Sequence, residues 1–144
     1  MQRDDLFDLD RFIRAQAGTY AQALAELQDG RKRTHWMWFV FPQLVGLGHS
    51  AMSRRFGITG LDEARAYLAH LVLGARLREC SNVVAASTVS AYDLFGSPDD
   101  LTLRSCMTLF EAAGSDPCFR AVLASKFDDE PCARTLELLD ARRP

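Results

Sequence analysis

The chain has 144 residues, 48% of them apolar and 25% charged, and a net charge of −2. These values fit one soluble globular domain and exclude collagen-like, disordered and disulfide-scaffold chains. No apolar run approaches the roughly 20 residues of a membrane span; the longest is Trp36–Phe41.

In chain order, apolar residues first fall at Leu9, Phe12, Ile13, Ala17, Tyr20, Leu24 and Leu27. Steps of three and four predict one face of a helix, with Asp8 as N-cap and Gly30 as stop. Trp36–Phe41 has the composition of a strand, stopped by Pro42. No second strand-like run exists to pair with it, so it reads as a buried helix turn or an extended core segment. Gly46, Gly48, Gly57 and Gly60 make the next stretch rich in loops, with Ser50 capping a short helix that holds Ser53, Arg54 and Arg55. Thr59 and Asp62 have capping-box spacing ahead of a helix over Leu61–Ala69. Gly74 interrupts or bends the following pattern, which continues at Leu77, Cys80 and Val84. Ser97-Pro98-Asp99-Asp100 places a cap, a first-turn proline and first-turn acids before a helix that buries Leu103, Cys106, Met107 and Phe110. Gly114 ends it. Asp116-Pro117 starts another helix, with Phe119, Val122 and Leu123 inward, and a last helix carries Cys132, Leu136 and Leu139. The expected fold is all-α: one multihelical domain over residues 1–144, core 9–139, with about six to seven helices and no substantial sheet.

The charge is unevenly distributed. Between Gly30 and Gly60 lie Arg31, Lys32, Arg33, Arg54 and Arg55 and no carboxylate, so this stretch carries +5 while the rest carries −7. Such a segment attracts an anion, or its cations are neutralised by acidic helices across the surface. The sequence pI of 5.9 argues against a nucleic-acid-binding domain, whose character is usually basic. The acidic N-terminus, Met1-Gln-Arg-Asp-Asp-Leu, lacks the basic-then-apolar plan of a secretory signal, so a cytoplasmic setting with reduced thiols is expected.

Cys80, Cys106, Cys118 and Cys132 form no CxxC or CxxH pair, and no His/Asp/Glu cluster has metal-ligand spacing. Neither metal nor cofactor is expected. Each cysteine lies in or beside an apolar helical pattern, where thiols act as small buried hydrophobes. The sequence contains no GxSxG elbow and no phosphate-binding P-loop.

The most informative segment is Gly30-Arg-Lys-Arg-Thr-His-Trp-Met-Trp-Phe-Val-Phe-Pro-Gln-Leu. Arg31 and Arg33 can fork onto phosphate or carboxylate. Trp36 and Trp38 can stack on a planar ring. His35 can exchange a proton near neutral pH. Gln43 flanks the aromatic run. One reading is a pocket for an anionic, nucleotide-like ligand, held also by Arg54 and Arg55. The other makes the aromatics core and the arginines a solvated helix end. Arg104 either faces a cleft or pairs with Asp100 at i,i+4.

His35-Trp-Met-Trp-Phe-Val-Phe-Pro-Gln and Gly46-Leu-Gly-His-Ser resemble a bacterial domain family of unknown function, sometimes mislabelled calpastatin, whose prototype is a mycobacterial hypothetical protein. The resemblance continues through Leu61-Asp-Glu-Ala-Arg-Ala-Tyr-Leu-Ala-His, Leu73-Gly-Ala-Arg-Leu-Arg-Glu-Cys, Phe95-Gly-Ser-Pro-Asp-Asp-Leu and Leu103-Arg-Ser-Cys-Met-Thr-Leu-Phe. It departs at Leu71, where the family commonly has Pro, and at Cys106, where Ser is common. The resemblance implies a helical single-domain fold with characteristic His35, Trp36, Trp38, Gln43 and Arg104, and no established activity. A fold-level likeness to small helical N-glycosidases of ADP-ribose-type compounds, drawn from Gly30-Arg31, the following Trp and a late Met/Phe helix, implies metal-independent hydrolysis if the protein is an enzyme.

Two functions follow as expectations. The first is a cleft near residues 31–55 that binds a small anionic, nucleotide- or ADP-ribose-like ligand, with His35 as acid/base and Arg31, Arg33, Trp36, Trp38, Gln43, Arg54, Arg55 and Arg104 as binding residues. The second is a non-catalytic module whose basic face docks an acidic protein.

Overall fold

A computed structural model describes residues 5–142. Ten helices lie among them: α1 (Asp10–Gln16), α2 (Tyr20–Gln28), α3 (Met37–Val40), α4 (Ala51–Arg55), α5 (Leu61–Ala69), α6 (Leu71–Ala86), α7 (Ala91–Phe95), α8 (Asp99–Ala113), α9 (Pro117–Phe127) and α10 (Ala133–Ala141). No strand occurs among the described residues, only one parallel bridge between Leu44 and Ile58. None of these helices is long and apolar enough to cross a membrane.

The helix number exceeds six to seven for a local reason. The stretch from Leu9 to Gly30 is two helices, because the chain turns at Ala17–Thr19 with Gly18 at φ +75°, a left-handed conformation that glycine tolerates. Two further helices, α3 and α7, have only four and five residues, as short as the expected helix after Ser50, α4. Helices that short leave almost no periodic signature.

Several caps differ from expectation. Asp8 sits at φ +51° and does not cap α1. Asp5 does so instead, its carboxylate accepting from the Leu9 and Asp10 amides. Thr59 pairs with Glu63, not Asp62, through its amide and hydroxyl. The break before α6 is at His70, whose Nδ1 accepts from the Val72 and Leu73 amides. Gly74 lies inside α6, against the Leu68 carbonyl, where a side chain would collide. Pro98, not Ser97, precedes α8, with no side-chain cap. On α10 the buried positions are Thr135 and Leu139, while Leu136 is exposed.

Helices α5, α6, α8 and α9 pack most extensively on one another and form the centre. Leu77, Cys80 and Val84 of α6 meet Leu103, Cys106, Met107 and Phe110 of α8 and Phe119, Val122 and Leu123 of α9 in one core. The aromatic run joins it: Trp36 and Phe41 are fully buried and pack with Phe95. Trp38 is the member of the run left partly exposed.

A buried carboxylate positions that run. Glu26, on α2, is 0% exposed. Its Oε1 accepts from the Arg33 amide (2.7 Å), the Thr34 amide (3.0 Å) and Trp36 Nε1 (2.9 Å). Its Oε2 accepts from the Thr34 hydroxyl (2.7 Å) and Gln22 (2.8 Å). Burial alone would raise its pKa, but these donors outweigh burial and hold the carboxyl below the usual carboxylate range. The unfolded chain therefore takes up this proton first as pH falls. The stabilisation is complete above about pH 4.3, the ordinary glutamate value, and is lost as pH drops towards the folded value. Glu26→Ala is expected to cost about 3–5 kcal/mol in urea unfolding, because buried donors lose an ionised acceptor. Glu26→Gln is expected to cost less and to flatten the fall in stability below about pH 4.3; an unchanged acid slope would contradict this role.

Candidate functional site

The segment after α2 leaves it under tight control. The Arg31 amide bonds the Glu26 carbonyl, and the Lys32 amide bonds the Leu94 carbonyl at 2.7 Å. With Glu26 holding residues 33–36, consecutive side chains take fixed and opposite directions. Arg31 and Arg33 point to solvent, and Lys32 turns inward with 8% of its side chain exposed. Its Nζ pairs with Asp99 at 3.0 Å and lies 5.2 Å from the centre of a Trp36 ring.

On the other side of the aromatic run, Ile58 donates to the Gln43 carbonyl and Val45 to the Ile58 carbonyl. This anchors both ends of the glycine-rich loop. Within it Gly48 packs directly on Ser53; a Cβ there would stand 2.8 Å from Ser53 Cβ. Ser50 caps α4 by accepting from the Ser53 amide. The loop faces the start of α8.

Between them is a cleft of about 570 Å³. Lys32, His35, Trp38 and Gln43 line one side, His49, Ser50 and Ser53 the loop side, and Asp99, Leu101, Thr102 and Ser105 the α8 side. The His35 and His49 imidazoles, the Gln43 carboxamide and the Trp38 indole N–H make no hydrogen bond to any described residue. These donors and acceptors border one concave space. By contrast, in a wider groove of about 820 Å³ lined by α5, α8 and α10, Arg65 pairs with Asp62 and Glu137 with Arg134.

The site residues expected from sequence divide into two groups. His35, Trp38 and Gln43 line the cleft together. Trp36 is buried behind it, with its N–H on Glu26. The arginines lie elsewhere. Arg33 pairs with Asp29, Arg54 bonds the His49 carbonyl, and Arg55 stacks on Phe56. Arg31 is exposed. Arg104 reaches neither a cleft nor Asp100. It bonds the Glu130 carbonyl at 2.8 Å and carboxylate at 3.4 Å beside the Phe127 ring. Direction around a loop, which spacing does not encode, decides which cation turns inward.

Sequence reasoning missed Lys32, His49, Asp99 and Thr102 as wall residues, while Ser105 was, with Arg104, a residue that could face a cleft. Thr102 and Ser105 are three apart on α8, the spacing of one helix face, and that signal was present. Among the described residues no group of His, Cys, Asp or Glu could hold a metal ion.

The thiols also divide. Burial pushes Cys80 up to about 12 and raises Cys106 and Cys118. Cys132 is only half-buried. Burial would raise it too, but the Ser105 hydroxyl, 3.4 Å away, and the first turn of α10 hold it below the ordinary thiol value. In the native protein iodoacetamide is expected to alkylate Cys132 first, with the other three protected until unfolding. Mass mapping of the modified peptide checks this, and labelling of Cys80 at an equal rate would contradict it.

A family model described as a protein of unknown function, DUF1810, matches residues 6–139. A solved crystal structure, that of the conserved hypothetical protein Rv1873 from Mycobacterium tuberculosis, shares 50% sequence identity with a TM-score of 0.93. The match covers 94% of this chain and 99% of that one. No curated protein matches.

Proposed function

The chain belongs to the DUF1810 family of proteins of unknown function, and for it we propose binding of a small anionic ligand with a planar ring, of nucleotide type, in the cleft between the glycine-rich loop and α8. The observation that carries this reading is the set of unbonded polar groups on His35, Trp38, Gln43 and His49 around one concave space. Trp38 offers an aromatic edge and an N–H to a ring. The Gln43 carboxamide offers a donor and an acceptor side by side, the pattern that reads an amide-like ring edge. Each imidazole donates or accepts, and His35 is the group best suited to move a proton. Lys32 is the cation for the anionic group, in place of the arginines, with Asp99 already beside it.

A second reading has one observation in its favour. Arg31, Arg54 and Arg55 are exposed and make no ion pair with a described residue. Such a face suits an acidic protein partner.

Thermal denaturation with 5′-nucleotides, ADP-ribose and inorganic phosphate separates the two. A ligand at ten times its Kd stabilises by about 1.4 kcal/mol, a rise of about 4 °C for a chain of this size. His35→Ala and Gln43→Ala are each expected to weaken binding about two- to tenfold through loss of one hydrogen bond. Arg54→Ala and Arg55→Ala are expected to change it less than about twofold. No shift with any compound at millimolar concentration would overturn the cleft reading and favour the docking face.

A further inference from the structure

The glycine-rich loop carries the His49 wall of the cleft, and two arginines from outside the loop hold its ends. The first is Arg11, on α1. Its guanidinium has five N–H groups, and five acceptors meet them. Nε donates to the Arg55 carbonyl at 2.8 Å. Nη2 donates to the Gly57 carbonyl at 3.0 Å and the Glu63 carboxylate at 2.9 Å. Nη1 donates to the Phe7 and Asp8 carbonyls. The Arg11 side chain is 11% exposed and that of Glu63 is 2% exposed, so water is a poor substitute for these partners. The second is Arg142, which directly follows α10. It donates to the Val45 carbonyl at 2.6 Å and to the Thr59 carbonyl at 3.4 Å. It also lies on Gly46, at φ +102°, where a Cβ would stand 3.0 Å from Nη2. Four backbone carbonyls between Val45 and Thr59 are therefore held by two guanidinium groups.

Resting on the reading of the cleft as a ligand site, we propose that Arg11 and Arg142 are positioning residues for it. They touch no ligand. They hang the two ends of the loop on α1 and on the end of α10, and so fix where His49 stands relative to His35 and Trp38. The glycines give the loop its internal shape, and the arginines place that shape on the body of the molecule. Arginine suits this task because its planar fork reaches several carbonyls at once, which the three donors of a lysine ammonium do not reproduce. A loop released at either end must be ordered again when a ligand binds, and that ordering weakens affinity.

Amide hydrogen exchange and calorimetric titration of the full chain test this in Arg142→Ala and Arg11→Lys. Arg142 is exposed, so its truncation leaves the core in place. In Arg142→Ala the hydrogen-bonded amides of Val45, Arg54, Phe56 and Ile58 are expected to exchange about fivefold faster, the factor of one net hydrogen bond. Amides within α8 are expected to keep their rates. Arg11→Lys is expected to act on the same amides and more strongly. The titrant is the tightest binder among 5′-nucleotides, ADP-ribose and inorganic phosphate, and its affinity is expected to fall about two- to fivefold in each variant. The loss is specific to one wall. His49→Ala is expected to weaken binding about two- to tenfold in the unaltered protein and less than about twofold in Arg142→Ala, while His35→Ala has the same effect in both. A purely stabilising role would leave both histidine effects unchanged. Unaltered loop exchange in both variants would overturn the clamp and leave the cleft reading standing. Faster exchange throughout the chain, or faster loop exchange with unchanged affinity, would overturn the positioning role. Binding of no compound by the unaltered protein would overturn the cleft reading and the positioning role with it.

Discussion

The Glu26 carboxylate organises the side of the molecule on which the cleft lies. Five donors converge on its two oxygens, four of them from Arg33, Thr34 and Trp36. An ionised carboxylate buried without such donors would be strongly destabilising. With them it fixes a stretch that has no regular backbone hydrogen bonding of its own. The consequences run outward from that point. Trp36 is held in the core by its N–H as well as by its rings, so α3 begins at a fixed place and Trp38 is left at the cleft wall. The segment from Arg31 to His35 cannot rotate, so Lys32 faces Asp99 while its neighbours face solvent.

The opposite wall is set by steric contact more than by charge. Gly48 lies where any side chain would displace Ser53, and Gly57 where a Cβ would stand 2.6 Å from Val45 Cβ. The Leu44–Ile58 bridge ties the two ends of the loop between them. A rigid loop against a rigid helix keeps a cleft open without a ligand, which lowers the ordering cost that binding would otherwise carry.

Much of the helical framework was legible because periodicity reports burial. The inward faces of α8 and α9 were read residue by residue, and Phe110, Phe119, Val122 and Leu123 are all fully buried. What periodicity does not report is a turn within an apolar pattern, hence the joint at Gly18, or a helix as short as α7; the short helix α4 was legible from its Ser50 cap. Caps were misread where the acceptor lies one residue further on, as with Glu63, or upstream, as with Asp5. At the site, the segment was legible and the direction of its side chains was not. His35, Trp38 and Gln43 share a cleft. The arginines, chosen for charge alone, are directed by loop geometry that depends on Glu26, ten residues before Trp36, and no local pattern announces that contact.

The placement of charge has a consequence for recognition. Of the five cations between Gly30 and Gly60, Lys32 and Arg33 are paired with carboxylates, while the exposed Arg31, Arg54 and Arg55 have no ion pair with a described residue and would act at a distance on an approaching anion. Inside the cleft the balance is different. Lys32 enters already paired with Asp99, so an arriving anion meets a cation and a carboxylate together. Attraction by Lys32 is offset by repulsion from Asp99, and a site that is locally near neutral grips charge weakly. Under the proposed reading, discrimination would come from the groups that are not already satisfied, the indole, the carboxamide and the imidazoles. Long-range charge would set how fast an anion arrives, and these neutral groups would set which one stays.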